Sequence, residues 1–250
     1  MENAKKYKKD VYYLGIAESV AMKSSCMRRT YGAIIVKNDE IIATGYNGSP
    51  RGCLNCNELG CIREAFGTKK GDAYNLCASV HAEQNAIISA ARRDMIGATI
   101  YIVGVNVIRA ENMADHDTVK HYADPSPCLL CHRMIVNAGI TRAVGMVEDP
   151  NHPEGRKVVE LDISGKTLMN KIQQEYYDLL STQKAEFEFN LSYHPEDMTP
   201  KEKEAETMRL RRIEKLIDMR QLMVEGRRDE IDIMEAKQLM RDLAQEGAYQ

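Results

Sequence analysis

Tryptophan is absent from this chain of 250 residues, and phenylalanine occurs only 3 times, against 12 tyrosines and 14 methionines. No apolar run approaches the length that would be needed to span a bilayer. Residues 1–10 are polar and rich in lysine, and no apolar run follows them, so we expect no signal peptide. These absences predict a soluble cytoplasmic protein with no membrane partner.

An excess of basic residues is also missing, because the formal net charge is −3. A chain without a general positive field is a poor candidate for binding nucleic acid. Cysteine is present 7 times, and this odd number suits a reducing compartment better than a disulfide framework. The cysteines are therefore expected to serve as metal ligands or free thiols.

One histidine and two cysteines form the pattern around which we interpret the chain, His81-x-Glu83 followed by Pro127-Cys128-x-x-Cys131. A catalytic zinc takes three protein ligands and keeps its fourth position for water, whose pKa it lowers. Two thiolates balance the charge of Zn²⁺, and neutral His81 adds none. Glu83 is predicted to carry the proton rather than bind the metal.

This pattern is the signature of zinc-dependent nucleobase deaminases. Residues 82–93 are predicted to form one helix, and Pro127 marks the start of a second, on which Cys128 and Cys131 share a face. Helix N-termini favour thiolate over thiol. The prediction is hydrolytic deamination where two helix N-termini meet at one zinc. The alternative is a CxxC with a structural or redox role.

The secondary-structure pattern favours an α/β fold. Short apolar strands are predicted at residues 32–37, 41–46, 98–104 and 141–147, and the first two form a hairpin. A helix is predicted at residues 11–22, and the two metal-binding helices precede the third and fourth strands. This order of elements predicts a mixed sheet with helices on its faces.

Residues 24–36, 45–52, 60–64, 80–88 and 137–142 resemble the deoxycytidylate deaminase family, and the resemblance covers about residues 10–148. It implies a cytidine-deaminase-like three-layer α/β/α sandwich with about five strands, and conversion of dCMP to dUMP and ammonia. It also implies zinc on His81, Cys128 and Cys131, Glu83 as proton donor, and Asn47 at the sugar. Members of the family are often homo-hexamers, and many are activated by dCTP and inhibited by dTTP.

Several residues are expected to contact the substrate. The planar guanidinium group of arginine fits the geometry of a phosphate, so arginines near the motifs are candidates for binding the substrate phosphate. The alternative is that these arginines are simply solvated at the surface. Gly48 and Gly52 would let the backbone approach a ligand closely. The predicted substrate contacts are Asn47, Ala82, Ser126, Arg28 and Arg51, with Arg29 as a further phosphate candidate.

The remaining five cysteines could hold a second, structural zinc, as they do in some members of the family. Four sulfur ligands would close a tetrahedral site and order the long loop after Asn47. Our first choice of ligands is Cys26, Cys53, Cys56 and Cys77, with Cys61 as a replacement for one of them. The alternative is that all five are free thiols.

Residues 105–126 are an insertion relative to the family, and the apolar or aromatic residue expected before Pro127 is missing. His116 and His121 lie in this insertion and are expected to be loop residues. Because of these two differences from the family, a free nucleoside, a nucleoside triphosphate and a modified cytidine are alternative substrates. An RNA adenosine deaminase is a further alternative, but it would need a basic surface.

We divide the chain into a catalytic domain, residues 1–165, and a helical C-terminal extension, residues 166–250. Helices are predicted at 167–180, from a capping box at Thr199 and Glu202 to about residue 225, and at 229–245. The extension packs on the core or a neighbouring subunit, or it binds a regulatory partner. A non-catalytic, zinc-organised regulatory module is therefore the non-enzymatic alternative.

Overall fold

A computed structural model describes residues 2–68, 76–107, 121–193, 198–225 and 227–245. Residues 108–120, which include His116, lie outside this description. The chain forms two compact units, Met1–Leu168 and Met169–Gln250. The functional division at residue 165 stays a prediction.

The first unit contains every strand found in the part of the chain that the structure describes. They are β1 (Arg29–Lys37), β2 (Glu40–Tyr46), β3 (Thr99–Asn106), β4 (Tyr122–Ala123), β5 (Arg142–Glu148) and β6 (Arg156–Leu161). They form one sheet in the order β2-β1-β3-β5-β6, with β4 paired to the end of β3. Among the strand pairs of the described residues, only β3–β5 is parallel. The helices are α1 (Glu2–Ala21), α2 (Cys56–Leu59), α3 (Ile62–Ala65), α4 (Ala82–Ile88), α5 (Arg92–Met95) and α6 (Leu129–Ala138), followed by α7 (Gly165–Tyr193), which runs into the second unit.

Alternating side chains give the sheet two buried faces, as a period of two residues requires. On one face Ile34 and Val103 pack with Leu14 of α1. On the other face Ile35 and Ile102 pack with residues of α4 and α6. Burying one such aliphatic side chain contributes about 1.5–3 kcal/mol. The result is a three-layer α/β/α sandwich with a mixed sheet, so the predicted fold class is confirmed.

Helix α4, which carries part of the predicted metal site, lies unusually close to strand β2. A Cβ atom added to Gly45 would lie 2.2 Å from the carbonyl oxygen of Ala82 and 2.3 Å from the backbone nitrogen of Ala86. The hydrogen bond from Asn85 Nδ2 to the carbonyl oxygen of Tyr46, 2.8 Å, joins the same two elements. Glycine at position 45 therefore sets the depth of α4 against the sheet.

The predicted hairpin is present and has a two-residue turn. Asn38 and Asp39 have φ values of 52° and 65°. Positive φ at both central residues is the requirement of a type I′ turn, whose twist matches that of the flanking strands. Lys37, at the end of β1, pairs with Glu40, at the start of β2.

The helix predicted at residues 82–93 was wrong in its second half. It ends at Ile88, and a separate short helix α5 follows. The Ser89 hydroxyl donates to the carbonyl of Asn85, and Ala91 is extended, with ψ 140°. A serine that bonds back to its own helix competes with helix continuation. Helix α1 also begins earlier than predicted.

The second unit consists of the end of α7 with α8 (Pro200–Val224), a 3₁₀ turn (Arg228–Glu230) and α9 (Ile233–Gln245). The capping box at the start of α8 is confirmed, since Thr199 N–H donates to Glu202 Oε2 at 2.7 Å and Glu202 N–H donates to Thr199 Oγ1 at 3.3 Å. Its small core comprises Leu180, Ile213, Leu216 and Leu243. Within the described residues, no helix has the length and apolar composition that crossing a membrane requires.

Candidate active site

His81 is placed by the two ends of a long loop. Gly48 and Val80 form an isolated bridge, with hydrogen bonds of 3.2 Å and 2.9 Å between their backbones. His81 follows directly and is the N-cap of α4, and its N–H donates to Gln84 Oε1 at 3.0 Å. The loop therefore leaves the sheet after β2 and returns beside its own starting point, where it delivers the histidine.

The two cysteines come from the start of α6. Cys128 is its N-cap, and its sulfur accepts a hydrogen bond from the N–H of Cys131. Nδ1 of His81 lies 3.4 Å from Cys128 Sγ and 3.3 Å from Cys131 Sγ. Within the described chain, these three residues are the one group whose potential ligand atoms all lie within 4.8 Å of one another. The two helix N-termini meet at one point, as the spacing predicts.

The thiols of this group do not ionise alike. The hydrogen bonds from Cys131 and then from His81 lower the pKa of Cys128 to about 4. The pKa of Cys131 is raised, because its thiol donates to Cys128 and is buried, and because a second negative charge would face Cys128 and Glu83. A divalent cation would offset that repulsion and stabilise both thiolates. One imidazole and two thiolates also match the preferences of zinc, so the residues fit this metal.

Glu83 lies in the first turn of α4 and is 5% exposed. Burial raises the pKa of its carboxyl group. A group that exchanges protons near neutral pH needs this kind of upward shift. Glu83 is thus separate from the three potential ligands and suited to carrying a proton.

A cavity of about 120 Å³ extends from this group. His81, Ala82 and Glu83 are among its lining residues. Arg28 and Arg63 also line it, together with four cysteines: Cys26, Cys56, Cys61 and Cys77. Further lining residues are Arg29, Tyr31, Asn47 and Ser79.

A sequence model of the family described as "Cytidine and deoxycytidylate deaminase zinc-binding region" matches residues 7–147, which is more than half of the chain. The match spans the described metal-binding group and the whole cavity lining. The chain belongs to this family.

Two curated relatives of this deaminase-family chain carry the name deoxycytidylate deaminase. The one from Schizosaccharomyces pombe is 37% identical over 135 residues, covering 54% of this chain and 36% of the relative. The one from Mycobacterium phage D29 is 34% identical over 140 residues, covering 54% of this chain and 91% of the relative. The chain thus spans about a third of the yeast relative's length.

Among solved structures, one titled as dCMP deaminase from the cyanophage S-TIM5 in complex with dCMP and dUMP is similar to this chain. It is 29% identical, the match covers 54% of this chain and 79% of that one, and the TM-score is 0.37.

Not all residues predicted to contact the substrate lie in the cavity of this family member. Asn47, Ala82 and Arg28 line it, as does Arg29. Arg51 and Ser126 are exposed and are not among its lining residues. The Ser126 N–H instead donates to Asp124 Oδ1 at 2.9 Å.

Asn47 is largely committed to the backbone of β1. Its Oδ1 accepts from the N–H of Tyr31 at 2.7 Å, and its Nδ2 donates to the carbonyl of Arg29 at 3.0 Å. One hydrogen on Nδ2 remains for a ligand, since an amide nitrogen carries two. The residue predicted to meet the sugar also holds the start of β1.

The structure places four of the five candidate ligands for a second metal in the cavity lining. Cys26, Cys56 and Cys77 line the cavity together with Cys61, whereas Cys53 is exposed and is not part of that lining. Burial raises the pKa of Cys56, and neighbouring Cys26, Cys61 and Cys77 add to the rise. The identity of the ligands of a second metal stays a prediction.

Sequence reasoning missed Arg63 and Tyr31. Arg63 is 9% exposed on the short helix α3, and the hydroxyl of Tyr31 donates to the carbonyl of Asp124 at 3.0 Å. A spacing signal for Arg63 was available, because it follows Cys61 by two residues as Arg28 follows Cys26. His121 is exposed and pairs with Glu148 at 3.1 Å, which agrees with the predicted loop role.

Proposed function

We propose that this chain catalyses hydrolytic deamination of a cytosine nucleotide, dCMP + H₂O → dUMP + NH₃, at a zinc ion held by His81, Cys128 and Cys131. The observation that carries the proposal is the buried Glu83 beside this donor group, in a cavity that is also lined by Arg28, Arg29 and Arg63. The names of the curated relatives support the same reaction.

When bound, zinc would supply water acidic enough to attack C4 of the base at neutral pH. Glu83 takes a proton at a carboxylate oxygen and delivers it to N3 of the ring. It then transfers a second proton to the departing amino group, so that a C–O bond forms and the C–N bond breaks. Burial favours the neutral carboxyl and makes Glu83 a competent donor between these transfers.

A nucleotide substrate is supported by the charge of the cavity. Arg28, Arg29 and Arg63 line it, and Glu83 is the acidic residue of the lining. Guanidinium groups bind phosphate through paired hydrogen bonds. This balance favours dCMP over the free nucleoside.

Ammonia release from purified, zinc-loaded protein tests the reaction. Cytidine, deoxycytidine, CMP, dCMP, dCTP and adenosine would be offered in parallel. We expect selective release from dCMP. Release from adenosine alone would contradict the pyrimidine assignment, and no release from any compound would favour a non-catalytic zinc-organised module.

We also propose that Cys26, Cys56, Cys61 and Cys77 bind a second, structural zinc. Their common place among the lining residues of the cavity and the effect of the other three on Cys56 support this. Their sulfur atoms would have to draw closer together, since within the described residues no three of them lie within 4.8 Å of one another. Metal analysis of unchelated protein should give two zinc ions per chain, and a value of one would contradict the second site.

Assembly and regulation belong to the same proposal. We expect a homo-oligomer, with a hexamer as the leading candidate, and regulation by dCTP and dTTP. A cytoplasmic location follows from the need to keep the ligand thiols reduced. Light scattering with and without each nucleotide tests the assembly, and a monomer under all conditions would contradict it.

A further inference from the structure

His132 is a buried histidine that the proposed reaction does not use. It lies at the end of the first turn of α6, directly after Cys131, and its exposed fraction is 0%. Neither Nδ1 nor Nε2 makes a hydrogen bond within the described part of the chain. A neutral imidazole carries one donor and one acceptor, and burying both without partners is costly. Packing alone therefore does not account for a histidine at this position.

The backbone of His132 belongs to the turn that presents the two thiols. Its N–H donates to the carbonyl oxygen of Cys128 at 2.8 Å and closes the first turn of α6. The sulfur atoms of Cys128 and Cys131 lie 3.4 Å and 3.3 Å from Nδ1 of His81. A small movement of this turn would change all three donor positions. A contact that holds the side chain of His132 thus also holds the metal-binding group.

The connector between β6 and α7 lies against the same part of α6. Ile163 of this connector is buried and packs in one cluster with Ile135 of α6. Val136, one turn after His132, lines a second cavity of about 560 Å³ together with Asp162. Residues four apart lie on the same face of a helix. The side chain of His132 is therefore directed towards the connector that carries Asp162.

Asp162 supplies an acceptor on that connector. The N–H of Ser164 donates to its Oδ1 at 2.9 Å, and the hydroxyl of Thr167 donates to its Oδ2. These hydrogen bonds, from Thr167 and then from Ser164, lower the pKa of Asp162 to about 2, and the proximity of His132 adds to the shift. Each carboxylate oxygen can accept a further hydrogen bond. A water molecule that donates to Asp162 can therefore also pair with the imidazole.

We propose that His132 is a positioning residue of the metal site, and that one buried water molecule joins its ring to the carboxylate of Asp162. Water is the ligand that fits, because buried waters bind polar groups that the protein itself leaves without partners. Through this bridge the connector before α7 fixes the first turn of α6. The inference rests on the proposed zinc site for its effect on the metal but not for the bridge itself.

The first test is the zinc affinity of the full-length protein, measured by competition with a chelator. His132→Phe keeps the ring volume but cannot bind water, so we expect zinc binding to weaken by about tenfold, the usual scale for an outer contact of a metal site. The denaturant midpoint of the zinc-loaded protein should fall as well. Unchanged zinc binding with an unchanged or higher midpoint would show that the ring only fills space, and would overturn the proposal.

Arg133→Ala is the matched control, because Arg133 is exposed at the next position of the same helix. It should leave both zinc binding and the midpoint unchanged. His132→Gln guards against a folding defect, since an amide keeps a donor and an acceptor. It should restore most of the zinc affinity that His132→Phe loses. A glutamine variant as weak as the phenylalanine variant would contradict a role for hydrogen bonding.

Cobalt in place of zinc gives a readout that a purely structural role would not move. The thiolate-to-cobalt absorption of the folded His132→Phe variant should shift, because the thiols of Cys128 and Cys131 change position. An absorption identical to that of the wild-type protein would overturn the positioning role. A crystal structure should show one water within about 3.2 Å of both the imidazole and the Asp162 carboxylate.

A double-mutant cycle tests the bridge between the two side chains. Asp162→Ala removes the other end of the bridge, so it should weaken zinc binding, and adding His132→Phe should cause little further loss. Losses that simply add would show that the two residues act independently, and the bridge would be wrong. Asp94→Ala, at an exposed site on α5, is the control.

This inference and the proposed reaction can fail separately. If His132→Phe weakens zinc binding but the wild-type protein releases no ammonia from any compound, the positioning role stands and the proposed reaction is wrong. If dCMP is deaminated while the His132 variants bind zinc and unfold as the wild-type protein does, the reaction stands and the positioning role is overturned.

Discussion

The metal-binding residues with Glu83, here called the metal side, and the arginines and cysteines of the cavity lining, here called the arginine side, are placed in different ways. The metal side, with His81, Glu83, Cys128 and Cys131, stands at the N-termini of α4 and α6, which both pack on the sheet. The arginine side, with Arg28 and Arg63, depends on a loop and on α3, a helix of four residues. Such a short helix has no independent stability.

The difference indicates a division of labour. The metal side inherits its geometry from the core, so the groups that do chemistry are held by many buried contacts. The arginine side is held by a few specific links, such as the hydrogen bonds that Thr68 makes with Arg28 and Arg63. Changes on the first side should affect every substrate, and changes on the second should affect recognition.

The substitution with the largest expected effect on turnover is Glu83→Gln, on the metal side. The amide keeps the size of the carboxyl but cannot carry a proton, so we expect turnover to fall by about 10²- to 10⁴-fold. The zinc content should not change, because Glu83 is outside the His and Cys group. Steady-state ammonia release and metal analysis check this. Glu40→Gln, at an exposed site, is the control. Loss of zinc from the Glu83 variant would contradict its assignment as a proton carrier.

Gly45→Ala tests the close packing of α4 on β2, which positions the metal side. The new Cβ would lie 2.2 Å from the Ala82 carbonyl oxygen, so α4 must move. Overpacking of this kind costs about 1–3 kcal/mol or more in the free energy of unfolding. Denaturant unfolding measures it, and turnover of dCMP and deoxycytidine should fall together.

Gly15→Ala is the matched control for that substitution. Gly15 is exposed within α1, and nothing lies within 4 Å of an added Cβ. Alanine should there raise the free energy of unfolding by about 0.5–1 kcal/mol. Equal effects at positions 15 and 45 would contradict the close approach of α4 to the sheet.

Cys56→Ser tests the arginine side. We expect it to lose the second zinc and to weaken dCMP binding, while the zinc at His81 remains. Cys53→Ser should do neither, because Cys53 is exposed and is not part of the cavity lining. Metal content per chain and the KM for dCMP separate the two variants. Metal loss from the Cys53 variant would restore our first-choice ligand set.

The smallest expected effect belongs to Tyr31→Phe. It removes the hydroxyl that donates to the carbonyl of Asp124, a link between β1 and the segment before Cys128. A single neutral hydrogen bond contributes about 0.5–1.5 kcal/mol. The denaturant midpoint should shift accordingly. Tyr12→Phe, at a site 64% exposed, should leave it unchanged. A large loss of turnover in the Tyr31 variant would assign this residue to the metal side instead.

The metal side was the more predictable of the two from sequence. His81 and Glu83 belong to one local motif, and Cys128 and Cys131 belong to another. The helix after each motif could be recognised from apolar spacing. The break at Ser89 was missed, because a local side-chain hydrogen bond decided it rather than the apolar pattern.

The arginine side was harder to predict because burial, not residue type, selects its members. Arg51 and Arg63 look alike in sequence, yet one is exposed and the other is 9% exposed in the cavity wall. Cys53 and Cys61 differ in the same way. Long-range contacts of the loop make these choices, and no local period reports them.

The sequence by itself determined the alternation of strands and helices and predicted the ligand types and the proton carrier, since each depends on spacing within a few residues. The tertiary structure decided which arginines and cysteines share the cavity and how deeply α4 sits against Gly45. The composition of the cavity and the depth of α4 depend on which segments distant in sequence come into contact. The strand order of the sheet and the Gly48–Val80 bridge determine those contacts.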